Sequence, residues 1–384
     1  MNKSKNLKNL LVASTIACPF LCSSAHAQSS VTLYGVLDSG LNYTSNAGGH
    51  SAYAIVSGDV SETRFGLKGT EDLGAGLSTI FTLENGTNLS NGQLNEGGRL
   101  FGRQAFVGLN SVNYGTFTMG RQYDATIDVW SPFTGAGNAI GDFAAHPFDN
   151  DNADYDFRFN NSVKYVSPTF HGLQLEAAYG FSNAANFAAN RAYSAGVSYT
   201  EGSFSAALAY LRQSDGNSTT TGAVGGDGVF TASRQQNIDA GVKWTFGDGS
   251  NVAFAYSHVS ANHPTVNAYV PNIGSQAWTS WKFGNFEING QYYITPSLYV
   301  AGAYTYTRAS LDSADAPSRQ NWNQASLMLN YALSKRTSVY VQGAYQHTNG
   351  ETGTGLDPAF IFGSAGTSSS GSQMVYRVAL LHTF

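Results

Sequence analysis

The strictest constraint on this chain is an alternation of apolar and polar residues that recurs along most of its length. At 238–244, for example, Ile238, Val242 and Trp244 share one parity, while Asp239 and Lys243 share the other. Because successive side chains of a β-strand point to opposite faces, this period of two predicts strands with one apolar and one wet face. After the first 30 residues no run of 18 apolar residues occurs, so a transmembrane helix is not predicted.

The connections between the predicted strands alternate between short and long. Longer polar segments fall near 44–61, 87–99, 125–159, 182–190, 214–233, 261–284, 309–321 and 348–372. Short turns at one rim and long loops at the other are typical of outer-membrane barrels, whose turns are periplasmic and whose loops are extracellular. Counting strands between the breaks predicts an all-β fold, a transmembrane antiparallel β-barrel of about sixteen strands.

Proline positions test this assignment independently, because proline cannot donate to a sheet ladder and a closed barrel has no edge strand. Every proline after residue 27 falls in a proposed turn or loop. Charged residues make up only 12% of the chain and aromatic residues 13%, which is unusual for a surface that faces water. A secreted β-sandwich or β-solenoid is the alternative, but neither is expected to alternate loop lengths so regularly.

The N-terminus has the features of a secretory signal. Three lysines precede an apolar run at 10–21, and an A-x-A cleavage site ends at Ala27. We therefore predict a signal peptide at 1–27 and a barrel at 28–384, located in the outer membrane after export. A lipoprotein is the alternative, but the residues before Cys18 and Cys22 match a lipobox poorly. Removing the three lysines takes the formal net charge from −5 to −8, without charge blocks, which argues against nucleic-acid binding.

Several motifs resemble those of general Gram-negative porins, most closely the porins of β-proteobacteria. They are LYG at 33–35, RFGLKG at 64–69, RQAFVGL at 103–109, YGTFTMGRQ at 114–122 and the terminal Phe384. The resemblance covers essentially the whole chain after residue 27. It implies a homotrimer of sixteen-stranded barrels that lets ions and small hydrophilic solutes diffuse passively through a water-filled channel. It also implies insertion into outer-membrane lipid by the barrel-assembly machinery, with Phe384 as the assembly signal.

The resemblance further implies that the third extracellular loop folds inward and narrows the channel. The segment 125–159 is both the third and the longest of the long connections. It departs from many porins because the motif Pro-Glu-Phe-Gly-Gly is absent, and the residues at 131–135 stand near its place. No loop glutamate can therefore be carried over from the family.

Basic residues on the wet face of the strands are candidates for one side of a constriction. Parity predicts that Arg64, Lys68, Arg103, Arg158 and Lys164 point inward, because cationic groups on the lipid face cost about 2 to 4 kcal/mol each at the midplane. The family comparison adds Arg121, although strict alternation groups it with Phe117 and Met119. The alternative is that these residues are ordinary solvated groups of the barrel wall.

Acidic residues crowd the proposed constriction loop and are candidates for its other side: Asp124, Asp128, Asp142, Asp149, Asp151, Asp154 and Asp156. A basic wall facing an acidic loop would produce a transverse field, and charged rings are how such pores select. The alternative is an ordinary solvated loop. The stretch from Asp149 lacks the sixth-position glycine and twelfth-position glutamate of an EF-hand, so no metal site is predicted.

Three functions remain open: a passive general pore, a solute-specific channel and a barrel enzyme. The histidines are scattered without metal-ligand spacing and without a nucleophile elbow, so we predict neither catalysis nor a cofactor. The sign of ion selectivity stays open, because the net charge includes loops far from the constriction.

Overall fold

The computed structural model describes residues 30–185, 187–270, 272–314 and 317–384. The predicted signal peptide at 1–27, with Cys18 and Cys22, and the predicted mature N-terminus at Gln28 lie outside the described residues. That assignment therefore stays a prediction. Among the described residues no helix is long and apolar enough to cross a membrane.

Strands make up most of the described chain. They are β1 (Ser30–Ala47), β2 (His50–Ser57), β3 (Arg64–Gly74), β4 (Leu77–Gly86), β5 (Gln104–Ser111), β6 (Gly115–Gln122), β7 (Phe159–Val166), β8 (Leu173–Gly180), β9 (Arg191–Glu201), β10 (Phe204–Ser214), β11 (Phe230–Thr231), β12 (Arg234–Thr245), β13 (Asn251–Asn262), β14 (Val266–Asn267), β15 (Trp278–Thr295), β16 (Leu298–Ser313), β17 (Pro317–Ala332), β18 (Thr337–Gly350) and β19 (Ser372–Thr383). Short helical turns lie at Glu96–Gly98, Thr126–Trp130, Ser131–Phe133, Ala136–Ile140, Gly141–Ala144 and Pro147–Asp149.

These strands form a closed antiparallel barrel. Consecutive strands of the barrel pair along the chain, and β19 returns to pair with β1 from Val36 opposite Thr383 to Thr44 opposite Val375. Strands β2 and β3 both pair with β1 and together make one barrel strand, while β11 and β14 form a separate two-stranded ribbon. The barrel therefore has sixteen strands, as predicted.

Side-chain exposure confirms the predicted alternation. On β12, Ile238 and Val242 are half exposed on the outer surface, whereas Asn237 and Asp239 are fully buried on the inner side. A lipid-facing strand surface must be apolar, since no water is present there to solvate charges. The periodicity of the sequence thus fixes which side chains face the interior.

Two predicted loops are wrong. The segment 309–321 is mostly strand, because β16 runs to Ser313 and β17 begins at Pro317, which lies opposite Asp312. The segment 44–61 is not a long connection, because β1 and β2 continue through it and meet at Gly48 and Gly49, which adopt φ values of 61° and 99°. Glycine allows this left-handed turn at no steric cost. The irregular stretch is instead 58–63, where Asp59 and Thr63 are buried inside the barrel. A polar stretch does not distinguish a loop from a strand where the strand extends beyond the bilayer, because both are then in contact with water.

The inner face is not uniformly wet. Trp281 and Phe283 of β15 and Trp322 of β17 are fully buried on that face, packed with Phe148 and Phe230 from the connections. Their ring centroids lie 6.0 to 6.3 Å apart along the series Phe148–Trp322, Phe230–Trp281 and Phe230–Phe283. A dry cluster therefore fills the space in front of β10 to β17.

Candidate functional site

The segment 123–158, between β6 and β7, contacts the inner side of distant strands. The Trp130 indole N–H donates to the Ala240 carbonyl of β12 at 2.9 Å, and the Gly135 N–H donates to Glu287 of β15 at 2.6 Å. Further along, the Gln324 amide of β17 donates to the Phe143 carbonyl at 3.0 Å. These contacts support the inward course expected for the loop at 125–159.

His146 ties this segment to the wall. Its Nδ1 lies 2.6 Å from an oxygen of Asp151 in the same segment, and its Nε2 lies 3.1 Å from Glu287 on β15. Burial by itself lowers the pKa of His146, but the two carboxylates outweigh burial and raise the pKa well above its usual value. The buried imidazole therefore joins the segment to the barrel wall through contacts with two carboxylates.

A cavity of about 290 Å³ lies between this segment and the strands β3 to β5. The barrel side contributes Asp59, Glu62, Arg64, Glu84 and Arg103, and the segment contributes Tyr123, Asp142, Asp154 and Tyr155. The arrangement places charged side chains on both sides of a narrow polar space.

Glutamates pair with Arg64 and Arg103 of the barrel side and with Arg158 at the end of the segment. The Arg103 Nε lies 2.8 Å from Glu84, and the Arg64 Nε lies 3.5 Å from the same carboxylate. Arg158 lies 3.5 Å from Glu62, which also forms an ion pair with Arg103. Three guanidinium groups thus share a cluster in which each one faces a carboxylate.

A third carboxylate and a phenol complete this cluster. Glu96 lies 3.8 Å from Arg103 and 3.9 Å from Arg158, and the Tyr123 hydroxyl accepts a hydrogen bond from Arg103 at 2.6 Å. None of these three glutamates is among the constriction residues predicted from the sequence. Parity would have found Glu84, which shares the wet face of β4, whereas Glu62 and Glu96 lie in irregular segments where parity says nothing.

Arg121 points inward against strict alternation. Met119, two residues earlier, is 51% exposed, whereas Arg121 is 8% exposed and donates to the Gly102 carbonyl at 2.6 Å. The pairing of β6 with β7 slips between Gly120 and Gln122, which reverses the side-chain direction at the end of the strand. The guanidinium pairs with Asp227 at 2.5 Å, so it lies beside the cluster and not in the cavity lining.

The two lysines predicted to face inward lie away from the cavity. Lys68 stands 5.2 Å from the ring centre of Tyr34. Lys164 forms an ion pair with Asp128 and lies 3.8 Å from Glu176. Neither lysine is among the residues that line the cavity.

The seven aspartates of the segment divide by environment. Asp142 and Asp154 line the cavity. Asp124, Asp149 and Asp151 are fully buried and accept hydrogen bonds from backbone N–H groups of the segment itself. Asp124 accepts the Thr126 N–H at 2.8 Å, and Asp149 accepts the Asp154 N–H at 2.9 Å. Asp156 accepts the Tyr269 hydroxyl at 2.5 Å. The buried three brace the loop, so they match neither a channel lining nor a solvated loop.

Phe384 lies at the seam where the barrel closes. Its N–H donates to the Gly35 carbonyl at 3.0 Å, and its own carbonyl accepts the Gly35 N–H at 3.1 Å. A Cβ atom at Gly35 would lie 2.4 Å from the Phe384 ring, so glycine is needed for the ring to rest on β1. The last residue thus joins the first and last strands.

Comparison with known proteins agrees with this architecture. A family model described as Gram-negative porin matches residues 13–351. Outer membrane porin protein 32 of Delftia acidovorans is 29% identical over 390 residues, covering 97% of this chain and 99% of that protein. An outer membrane porin protein of Bordetella pertussis is 29% identical over 382 residues, covering 88% and 94%.

A solved structure, the anion-selective porin from Comamonas acidovorans, has a TM-score of 0.66 at 25% identity, covering 93% of this chain and all of that one. Three observations agree. The barrel is closed and has sixteen strands, the porin family model matches most of the chain, and full-length relatives are outer-membrane porins. The chain belongs to the Gram-negative porins, and it is an outer-membrane channel for the passive diffusion of ions and small hydrophilic solutes.

Proposed function

We propose that the cavity between β3 to β5 and the segment 136–155 is the constriction of a general diffusion pore with a weak charge preference. The observation that carries this proposal is the pairing of Arg64 and Arg103 with Glu84 and Glu62 in the cavity lining, next to which Arg158 lies close to Glu62 and Glu96. Permeating ions sense the sum of nearby charges, because unlike charges a few ångströms apart cancel at a distance. A wall so balanced discriminates little between cations and anions.

The aspartates of the opposing side set the remaining preference. Burial raises the pKa of Asp142 to about 7, an effect that Arg377 partly opposes and Asp38 reinforces. Burial likewise raises the pKa of Asp154 well above its usual value. A carboxyl whose pKa is raised is neutral below that pKa and negative above it. The channel should therefore become more cation-selective as the pH rises through about 7.

This pH dependence is the test of the proposed constriction. We expect the zero-current potential under a KCl gradient to move toward the cation limit between pH 6 and pH 8, and Asp142→Asn to remove most of that movement. Asp248→Asn, in an exposed turn between β12 and β13, is the matched control and should leave the movement intact. Equal pH responses in the wild type and Asp142→Asn would contradict the assignment.

This chain is not expected to share the anion selectivity of the Comamonas protein, because each arginine of the cluster faces a glutamate. A solute-specific channel is the second candidate from the sequence. The dry aromatic cluster in front of β10 to β17 favours it only because the cluster narrows the space through which a solute can pass. We also propose a homotrimer inserted by the barrel-assembly machinery, with Phe384 as its signal, and no catalytic activity. The resemblance to general porins supports these assignments.

A further inference from the structure

The connection between β10 and β11, residues 215–229, folds back against the inner side of the barrel. The Asn160 N–H of β7 donates to the Ala223 carbonyl at 2.8 Å, and the Ala223 N–H donates to the Asn190 carbonyl at 2.9 Å. Ala223 and Val224 are buried in the dry cluster in front of β10 to β17. The loop 215–229 therefore packs onto the channel wall and does not extend freely into the medium.

The side chain of Asn217 fixes the tip of this loop. Its Oδ1 accepts the N–H groups of Gly226 and Gly228, each at 3.1 Å, and its Nδ2 donates to the Gly228 carbonyl at 2.7 Å. The Asn217 N–H donates to the Val224 carbonyl at 2.9 Å, which closes the turn from the other end. Asp227 lies between the two glycines, so Asn217 sets its position in the channel.

The Asp227 carboxylate pairs with Arg121 of β6, whose guanidinium lies 2.5 Å away. Arg121 also donates to two neutral groups, the Gly102 carbonyl at 2.6 Å and the Asn160 Oδ1 at 2.5 Å. The second oxygen of the Asp227 carboxylate, Oδ1, is buried without a hydrogen-bond partner among the described residues. Asp227 thus differs from Asp149, which holds backbone N–H groups of its own segment, because its carboxylate serves the charge of Arg121.

Arg121 lies in a strongly cationic part of the channel. Its charge is repelled by Arg99 and by Arg158, the second of which belongs to the guanidinium cluster of the proposed constriction. Arg99 donates to the Gly225 carbonyl at 2.6 Å, so it also lies at the tip of the loop. Asp227 attracts Arg158 as well as Arg121. One carboxylate from the loop thus offsets part of this positive charge, since unlike charges a few ångströms apart cancel at a distance.

We propose that Asp227 sets the charge preference of the channel by cancelling the charge of Arg121 beside the constriction. The inference rests on the constriction proposed above, because Arg121 lies next to that cluster and outside the cavity lining. Wall charges act on permeating ions over about 8 Å, one Debye length at physiological salt. Ions that pass the cluster therefore sense the sum of Arg121 and Asp227, which is close to zero.

Asp227→Asn tests this inference, because it removes the charge and keeps the shape of the side chain. We expect the chloride-to-potassium permeability ratio, obtained from the zero-current potential in planar bilayers under a KCl gradient, to rise about twofold. Arg121→Gln should lower the ratio by a similar factor, and the two substitutions together should bring it back close to that of the wild type. Asp215→Asn, at the other end of the same loop, is the matched control and should leave the ratio unchanged.

A purely structural contact of the loop would give a different result. Each single variant would then loosen the loop and move the ratio in the same direction, and the double variant would not restore it, which would overturn the role of Asp227. Heat-modifiable migration on a gel shows whether each variant is folded. If Asp227→Asn does not fold, the same rise of about twofold must appear between Arg121→Gln and the double variant, which differ by the same charge. Equal ratios in those two variants would also overturn the proposal.

Arg64→Glu, measured alongside, separates this inference from the constriction on which it rests, because Arg64 lines the cavity and Asp227 does not. A ratio that falls with Arg64→Glu but does not change with Asp227→Asn would reject the role of Asp227 and leave the constriction standing. Unchanged ratios in both variants would reject both.

Discussion

Replacing Arg64 and Arg158 together by glutamate is expected to make the channel strongly cation-selective. The change removes two guanidinium groups from a cluster that already holds Glu62, Glu84 and Glu96, so five carboxylates would then face Arg103. Ions in a narrow passage come within about 8 Å of the wall, one Debye length at physiological salt, and wall charges there outweigh those on distant loops. The zero-current potential in planar bilayers under a salt gradient measures the shift.

The control for this variant is a double substitution with an equal and opposite charge change. Asp215→Lys with Asp312→Lys lies outside the cavity lining and should move the potential only slightly toward anions. Because Arg158 is 2% exposed, the single variant Arg64→Glu is measured alongside and should move the potential in the same direction by a smaller amount. If the two double variants shift the potential by equal amounts, the constriction is not formed by this cluster.

Deleting Phe384 is expected to lower the yield of folded, membrane-inserted protein by about tenfold or more. The deletion removes two backbone hydrogen bonds to Gly35, each contributing about 1 kcal/mol, and the ring that rests on β1. It also leaves the seam between β1 and β19 open at one end, and an unpaired edge is not tolerated in a membrane barrel. Heat-modifiable migration on a gel reports the folded fraction.

Phe384→Trp and Leu380→Ala serve as the comparison. The first keeps an aromatic ring and the terminal backbone, and the second removes an apolar side chain from the outer face of the same strand. Both should fold far better than the deletion. Wild-type amounts of folded protein after deletion of Phe384 would show that the seam does not need it.

The sequence predicts the barrel well because its signal is physical and repeated. Lipid on one side and water or packed loops on the other force opposite chemistry on successive residues, as at Ile238 and Asp239. The inward direction of Arg64 follows from the same parity. Arg103 and Arg158 lie just before β5 and β7, and Arg103 is buried although it shares its parity with Val107 and Leu109, which are exposed on the outer surface. Parity fails where pairing slips, and Arg121 turns inward through a bulge that no local pattern marks.

The site is less predictable, because it depends on groups brought together from distant segments. Glu62 and Glu96 reach the arginines from irregular stretches, and their partnership with Arg158 exists only in the closed barrel. The aspartates of the loop look alike in sequence, yet Asp142 lines the cavity while Asp149 accepts backbone N–H groups. Burial decides between these roles, and burial follows from tertiary packing.

The central claim is that this chain forms a water-filled channel for passive diffusion. Single-channel conductance in planar bilayers tests this claim most directly. For the purified protein, we predict steady open steps whose conductance rises in proportion to KCl concentration from about 0.1 M to about 1 M, because a water-filled passage without a saturable binding site conducts in proportion to the bulk ion concentration. The steps should be insensitive to added small hydrophilic solutes. Conductance that saturates with salt and is blocked by one solute, or no conductance at all, would contradict the account.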